Sequence, residues 1–393
     1  MQQHHLADTS ASLSDKTAGS MPVHREQHAL RITHLILTHS FAGSERYAVE
    51  LANAQADSGH DVSIILHQRG CETRANAILQ HVAANVKVYQ VSGWKLWAMW
   101  QARRLLRHIK PQVAHAHLSA ACRVLQGVKG VCLRVATLHI CYKKQQHAKL
   151  DALIAIAPWQ LESMPAALKS RTIQLDNWAK TPQLSALDKT QLRRQLGLPE
   201  QGFLVGTLGR VESTKGHDTL LAAFEQAFAQ RHLADEEPAA ARLSANNGMP
   251  DVHLCVVGDG KAMAKVKSLA TPQVIFAGYQ TQPALYLQCF DVFVSAARYE
   301  PFGLVFLEAM HAGLPIIATA SQGASYLARY LPYPTVPIDD VGALAQALQR
   351  SYQEYVDQQL PKPEYPLARF DMQARVADVL AFYRTQMAEH ERR

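Results

Sequence analysis

The 393-residue chain has no apolar run of the ~20 residues that a membrane span requires. None of its six cysteines, Cys71, Cys122, Cys132, Cys141, Cys255 and Cys289, belongs to a Cys-x-x-Cys pair. The first absence removes a transmembrane helix. The second argues against a disulfide framework or a zinc knuckle, and since most of these cysteines lie in or beside apolar segments, buried reduced thiols of a cytosolic protein are expected. Residues 1–29 are rich in Gln, His, Ser and Thr and lack an apolar core, so they resemble neither a signal peptide nor a packed element. A disordered tail is expected there. No aromatic-basic nucleic-acid-binding motif appears, and nucleic acid is not expected as a partner.

What is present is an ordinary soluble composition, 48% hydrophobic and 19% charged, long enough for two domains with separate cores. The net charge of +7 is unevenly placed. Between Arg31 and Lys180 there are 19 Lys and Arg against 8 Asp and Glu, so the basic charge belongs to the first half. Such a surface suits anionic lipid, a phosphorylated acceptor or nucleic acid.

The most informative stretch runs from Phe290 to Gln322. It reads as a buried strand (Val292–Val294), a polar turn, a helix opening near Leu304, a Gly-Leu-Pro stop at 313–315 and a second apolar strand from Ile316. That is the length of a parallel crossover. Seven residues separate Glu300 from Glu308. Pro301 and Gly303 shape the turn, placing Glu300 at the carboxyl edge of the sheet and Glu308 in the first turns of the helix. Ligands of open α/β sheets bind at that edge, and a helix amino end attracts phosphate.

This run resembles the signature of retaining glycosyltransferases of GT-B fold, in the large family four that includes lipopolysaccharide-core and mannosyl transferases. The resemblance implies two Rossmann-like, doubly wound parallel α/β domains facing across a cleft. It extends to other segments. After a first strand near Arg31–His39, Ser40–Glu45 is similar to the family's Gly-Gly-x-Glu loop, with Ala42 in place of the first glycine and Gly43 retained. After Gly209, Arg210 and Lys215-Gly216 resemble the family's Gly-Arg…Lys-Gly motif, and two such cations make a plausible diphosphate clamp. His139 matches the family's histidine beside the transferred sugar. His117, in a commoner His-x-His pattern, has a less definite role. Ser321–Tyr326 departs from the family's Gly-Gly…Glu, keeping only Gly323.

Further strands are expected at 61–67, 85–91, 112–117, 134–140 and 152–157. In the second half they are expected in FLVGTLGRV, HLCVVGDG (with Gly258 in its exit loop) and VIFAGY (with Gly278), loops against which a nucleotide base can lie. Residues 30–178 form the expected acceptor-side domain and 179–370 the donor-side domain. Leu175–Gln183 is expected as linker, Ala234–Met249 as a surface insertion, and 371–393 as a helix returning to the first domain. On the helix between Trp94 and Lys110, Ala98, Ala102, Leu105, Leu106 and Ile109 share one side at 100° per residue, while Trp97, Trp100, Arg104 and Arg107 share the other. Two tryptophans among basic residues fit either an anionic membrane surface or packing against a neighbouring loop.

The resemblance implies transfer of a sugar from a nucleoside diphosphate with retained configuration. Arg210 and Lys215 would neutralise the leaving diphosphate, aided by amides near Gly303 and Leu304. Glu308 would hold the ribose and Glu300 the sugar hydroxyls, with His139 opposite. No Asp-x-Asp or His/carboxylate cluster lies near this motif, so neither a catalytic metal nor another cofactor is expected. Three readings stay open: a transferase peripheral to the inner membrane face acting on a lipid-linked or lipopolysaccharide-type glycan; a soluble transferase or synthase with a small phosphorylated acceptor; and a noncatalytic binding protein.

Overall fold

A computed structural model describes residues 29–180, 185–232 and 250–392. The expected tail (but for its last residue), the expected insertion at 234–249 and the end of the expected linker lie outside the described residues.

Two parallel sheets organise the chain. The first has the order β3-β2-β1-β4-β5-β6-β7. Its strands are β1 (Arg31–Ile36), β2 (Asp61–His67), β3 (Lys87–Val91), β4 (Val113–His117), β5 (Leu133–Leu138), β6 (Ala152–Ala155) and β7 (Thr172–Gln174). The second has the order β10-β9-β8-β11-β12. It comprises β8 (Phe203–Leu208), β9 (Val252–Val257), β10 (Val274–Gly278), β11 (Val292–Ser295) and β12 (Ile316–Ala318). Each order reverses once, between β1 and β4 and between β8 and β11, and ligands of doubly wound sheets bind at such switch points. The edge strand β7 is three residues of half-buried TIQ, too short to announce itself by hydrophobic pattern.

Both faces of the first sheet are covered. One packs under α1 (Gly43–Asp57), and the other under α2 (Lys95–Ile109) and α3 (Leu118–Gln126). On α2 the buried residues are Ala98, Met99, Ala102 and Leu106, so the inner face gains Met99, while Leu105 and Ile109, expected on that side, are half-buried. In the second sheet β8 leads into α4 (His217–His232), and β11 into α5 (Leu304–His311). The last helix, α6 (Met372–Glu391), is capped by the Asp371 carboxylate on the Ala374 amide and places Val376, Val379, Leu380 and Tyr383 in the core of the first sheet.

In the segment expected as a linker, Leu175 to Ala179 are buried. Trp178 is 2% exposed, stacks on Tyr47 at 4.3 Å and donates its indole N–H to Glu50 at 2.9 Å. Asp176 is buried as well and accepts from Tyr326 and Arg369. A crossing that carries a tryptophan can bury it in one core while the next residue, Ala179, joins the other. The four buried cysteines and two half-buried ones are all free thiols, as their apolar surroundings imply.

Candidate active site

The loops after β8 and β11 are built against each other. Gly216 follows Lys215 in the left-handed region (φ +64°), and a Cβ there would lie 1.9 Å from the Ala296 carbonyl oxygen. The Arg298 and Tyr299 amides both bond the Thr214 carbonyl, at 2.9 and 3.1 Å. Arg298 braces the pair further through Asp218, Asp339 and the Ser213 carbonyl. This close backbone approach brings Lys215 onto the Glu300 carboxylate as an ion pair. Only glycine permits it.

The turn after Glu300 is held from behind. Gly323 donates its amide to the Glu300 carbonyl at 2.7 Å, and a side chain there would strike the Phe302 carbonyl. The retained glycine of the divergent Ser321–Tyr326 segment therefore serves packing. Gly303, at φ +88°, then starts α5, which aims Glu308 at the first domain. There it pairs with Arg46 of α1, whose guanidinium also bonds Glu50 at 3.0 Å. Burial works against the Arg46 charge, but Glu308 and Glu50 outweigh it and raise its pKa above the usual arginine value.

The first domain meets this edge at several points. Leu304 Cδ1 lies 3.7 Å from where a Cβ on Gly43 would be. Ala42 sits in extended conformation (φ −146°), so the loop does not need the family's first glycine. Glu45, its carboxyl raised by burial, accepts from Thr38 at 2.6 Å and feels the charge of Arg210. Trp159 donates its indole N–H to the Pro301 carbonyl at 2.9 Å. Tyr299 contacts Cys141, two residues beyond His139. His139 meets the Tyr47 ring edge-on at 5.1 Å, and Tyr47, Trp178, Glu50 and Arg46 lead from it to Glu308.

The Lys215–Glu300 pair, the Glu308–Arg46 pair and the Leu304–Gly43 contact thus meet where the two domains face each other across a cleft, with Gly303 opening α5 there and His139 reached through Tyr47. Arg210 stands at its rim, 62% exposed and paired with Glu212 at 3.1 Å. Gly258 and Gly278 end β9 and β10 beside Gly209, backbone on backbone: the Gly258 amide bonds the Gly278 carbonyl at 2.8 Å, and a Cβ on Gly258 would meet the Gly209 carbonyl at 1.9 Å. His117 does not reach the cleft. It is 1% exposed, bonded to His139 on one side and His34 on the other. Leu118, immediately after it, has the uncommon φ of +68°.

Trp97 and Trp100 lie apart from the cleft on α2, stacked at 4.7 Å and each nearly half exposed, with Trp94 and Leu96 exposed beside them. Arg104 sits over the Trp100 ring at 5.8 Å. Arg107 is engaged otherwise: it donates to the Gly127 carbonyl just past the end of α3.

Sequence reasoning missed Arg46, His34 and His115. Arg46 follows Glu45 directly, and its position one turn into the helix behind the glycine loop was the available signal. His34 is paired with His115 across β1 and β4, and His-x-His on β4 puts both of its rings on that same face.

Two doubly wound sheets with glycine-tight loops and paired acids and cations between them define a glycosyltransferase of GT-B fold. Residues 41–171 match the model of Glycosyltransferase Family 4, and residues 202–354 match that of Glycosyl transferases group 1. Together these span well over half of the chain, which belongs to this glycosyltransferase family. It is 26% identical over 312 residues to the lipopolysaccharide core biosynthesis glycosyltransferase LpsE of Rhizobium meliloti, covering 76% of this chain and 82% of that one. It is 32% identical over 186 residues to mannosylfructose-phosphate synthase of Agrobacterium fabrum, covering 44% and 38%. The structure of Anabaena HepE in complex with UDP and glucose superposes with a TM-score of 0.65 over 92% of this chain and 99% of that one, at 18% identity.

Proposed function

We propose that this glycosyltransferase moves a sugar from a nucleoside-diphosphate donor to a lipid-linked, lipopolysaccharide-type glycan, with retention of anomeric configuration, at the inner face of the membrane. The observation that carries the acceptor reading is the exposed patch of Trp94, Leu96, Trp97 and Trp100 with Arg104 over it, on the basic domain. Stacked indoles beside a guanidinium suit the headgroup boundary of an anionic bilayer. Among the described residues no helix is long and apolar enough to cross a membrane. The similarity to LpsE supports the same acceptor class.

In this reading the donor diphosphate lies between Lys215, Arg210 and the amides at the start of α5. The cations stabilise charge on the leaving group, the largest electrostatic contribution available to such a site. Glu308 turns from Arg46 to the ribose, and Glu300 takes sugar hydroxyls. Metal-independent transfer with no further cofactor is part of the proposal. Domain closure excludes water, which would otherwise hydrolyse the donor.

A second reading, a small phosphorylated acceptor, is supported by the similarity to mannosylfructose-phosphate synthase and by the basic first domain. Transfer assays decide: each of the UDP, GDP and ADP sugars is offered with truncated lipopolysaccharide or with sugar phosphates, in EDTA, and the product anomer is read by NMR. Transfer to the lipid-linked acceptor that survives EDTA supports the proposal. Transfer to sugar phosphates alone supports the second reading, and an inverted product rejects retention.

A further inference from the structure

Inside the first domain, under α1 and α6, three imidazoles stand in series. The Gln55 side-chain oxygen accepts from His34 Nε2 at 2.8 Å. His34 Nδ1 and His117 Nε2 are 3.0 Å apart, and so are His117 Nδ1 and His139 Nε2. Gln55 and His34 have no exposed surface, His117 has 1% and His139 has 8%.

Burial lowers the pKa of all three rings, His34 to about 4 and His139 to about 3, so each is neutral near pH 7. A neutral imidazole carries one N–H and one lone pair. When neutral rings bond in series, the proton at one end therefore dictates every proton along the line. Here the end is the Gln55 amide, whose oxygen, able only to accept, faces His34 while its Nε2 is buried with no hydrogen-bond partner; the proton order that follows is the one this amide orientation imposes. His34 must carry its proton on Nε2 and offer Nδ1; His117 must donate through Nε2 and offer Nδ1; and His139 must donate through Nε2. What His139 has left for a ligand is the lone pair on Nδ1.

His115 makes a separate line. Its Nδ1 faces the Tyr383 hydroxyl at 2.6 Å and its Nε2 faces Thr137 Oγ1 at 2.8 Å. One nitrogen from each of His34, His115 and His117 lies within 4.8 Å of the others, a spacing that also suits a metal ion. With both His115 nitrogens and both His34 nitrogens already engaged, the hydrogen-bonded arrangement accounts for the cluster without one.

We propose that His34 and His117 are positioning residues that lock His139 in its Nε2–H tautomer, so that His139 accepts a hydrogen bond from a hydroxyl of the transferred sugar and cannot donate one to it. This rests on the reading that His139 borders the transfer site. It adds a specificity: a donor whose facing hydroxyl is replaced by hydrogen or by a methyl ether loses the contact.

Two substitutions at one position separate positioning from packing. In His117→Asn the side-chain oxygen falls near the place of Nδ1 and still accepts from His139. In His117→Gln the amide reaches the place of Nε2, keeps His34 company and leaves His139 unpaired. Each loses one bond of the line, so equal thermal midpoints are expected. His117→Asn is expected to keep kcat within about threefold, while His117→Gln loses about tenfold, the worth of one hydrogen bond. Equal activity in the two would overturn the proposal. Nitrogen-15 spectra of the wild-type imidazoles need no variant and read the proton directly: a His139 protonated on Nδ1 refutes it, as does a stoichiometric metal by elemental analysis. Full activity in His139→Ala would remove the site reading on which the inference rests, while the spectra still decide the tautomer.

Discussion

Arg46 of the first domain and Glu308 of the second form an ion pair across the cleft. Arg46 is also held by Glu50, which in turn takes the indole N–H of Trp178 at the domain crossing. The carboxylate proposed for the ribose is therefore already occupied by a cation from the other sheet. Replacing Glu308 with Gln is expected to weaken nucleotide binding about tenfold by weakening a charged acceptor. Titration calorimetry with UDP or GDP reads it, and unchanged affinity would disprove the ribose role.

The two cations of the second domain differ in setting, and the expected losses differ with them. Lys215 is largely shielded against Glu300, whereas Arg210 is mostly exposed beside Glu212. Lys215→Ala is expected to reduce kcat by about 10²–10³-fold, in the range for removing one group that stabilises developing charge. Arg210→Ala should cost less. Initial rates at saturating donor test the order, and a larger loss at Arg210 would mean that it swings inward on binding.

Gly323→Ala adds a single methyl where the Phe302 carbonyl stands 2.2 Å away. Because the neighbour is backbone, the turn carrying Glu300 must move, at a cost of about 1–3 kcal/mol. Lower stability by urea denaturation together with lost transfer is expected. A stable, fully active variant would show that the turn is not rigid.

Acid should weaken the fold through its buried histidines. His34 and His139 have folded pKa values of about 4 and 3, against about 6.5 for an exposed ring. Below pH 6.5 the unfolded chain takes up protons that the folded rings refuse, so stability is full above that value and falls as pH drops toward 4. Each such ring contributes about 1.4 kcal/mol per pH unit in that window. Urea midpoints measured from pH 7 to 5 should fall, and His34→Gln should fall less steeply than wild type.

Alanine at Trp97 and Trp100 should leave folding intact, since both rings are nearly half exposed and stack mainly on each other. Binding to anionic vesicles should drop in flotation assays. Arg104→Ala should weaken it by about 1 kcal/mol, and high salt should mask that difference. Wild-type protein that fails to float at any salt concentration would discard the membrane surface.

The alternation of strands and helices, the Glu300/Glu308 spacing and the loop at Lys215-Gly216 could be read along the chain because each depends on local pattern: apolar periodicity, turn residues, a helix opening behind a glycine. Strand ends were read too long, as at Ile36 and Leu138, because apolar residues continue past the last ladder bond. What pattern could not decide was company. That Glu308 would meet Arg46, 262 positions away, that Trp178 would be buried at the crossing, and that His117 would stand behind His139 instead of beside it all follow from the packing of one sheet on another. Residue order determined the two half-sites and their chemical types. Only the tertiary structure chose their partners, because the energy of a buried charge or ring nitrogen is set by what lies within a few ångströms of it, wherever along the chain that neighbour comes from.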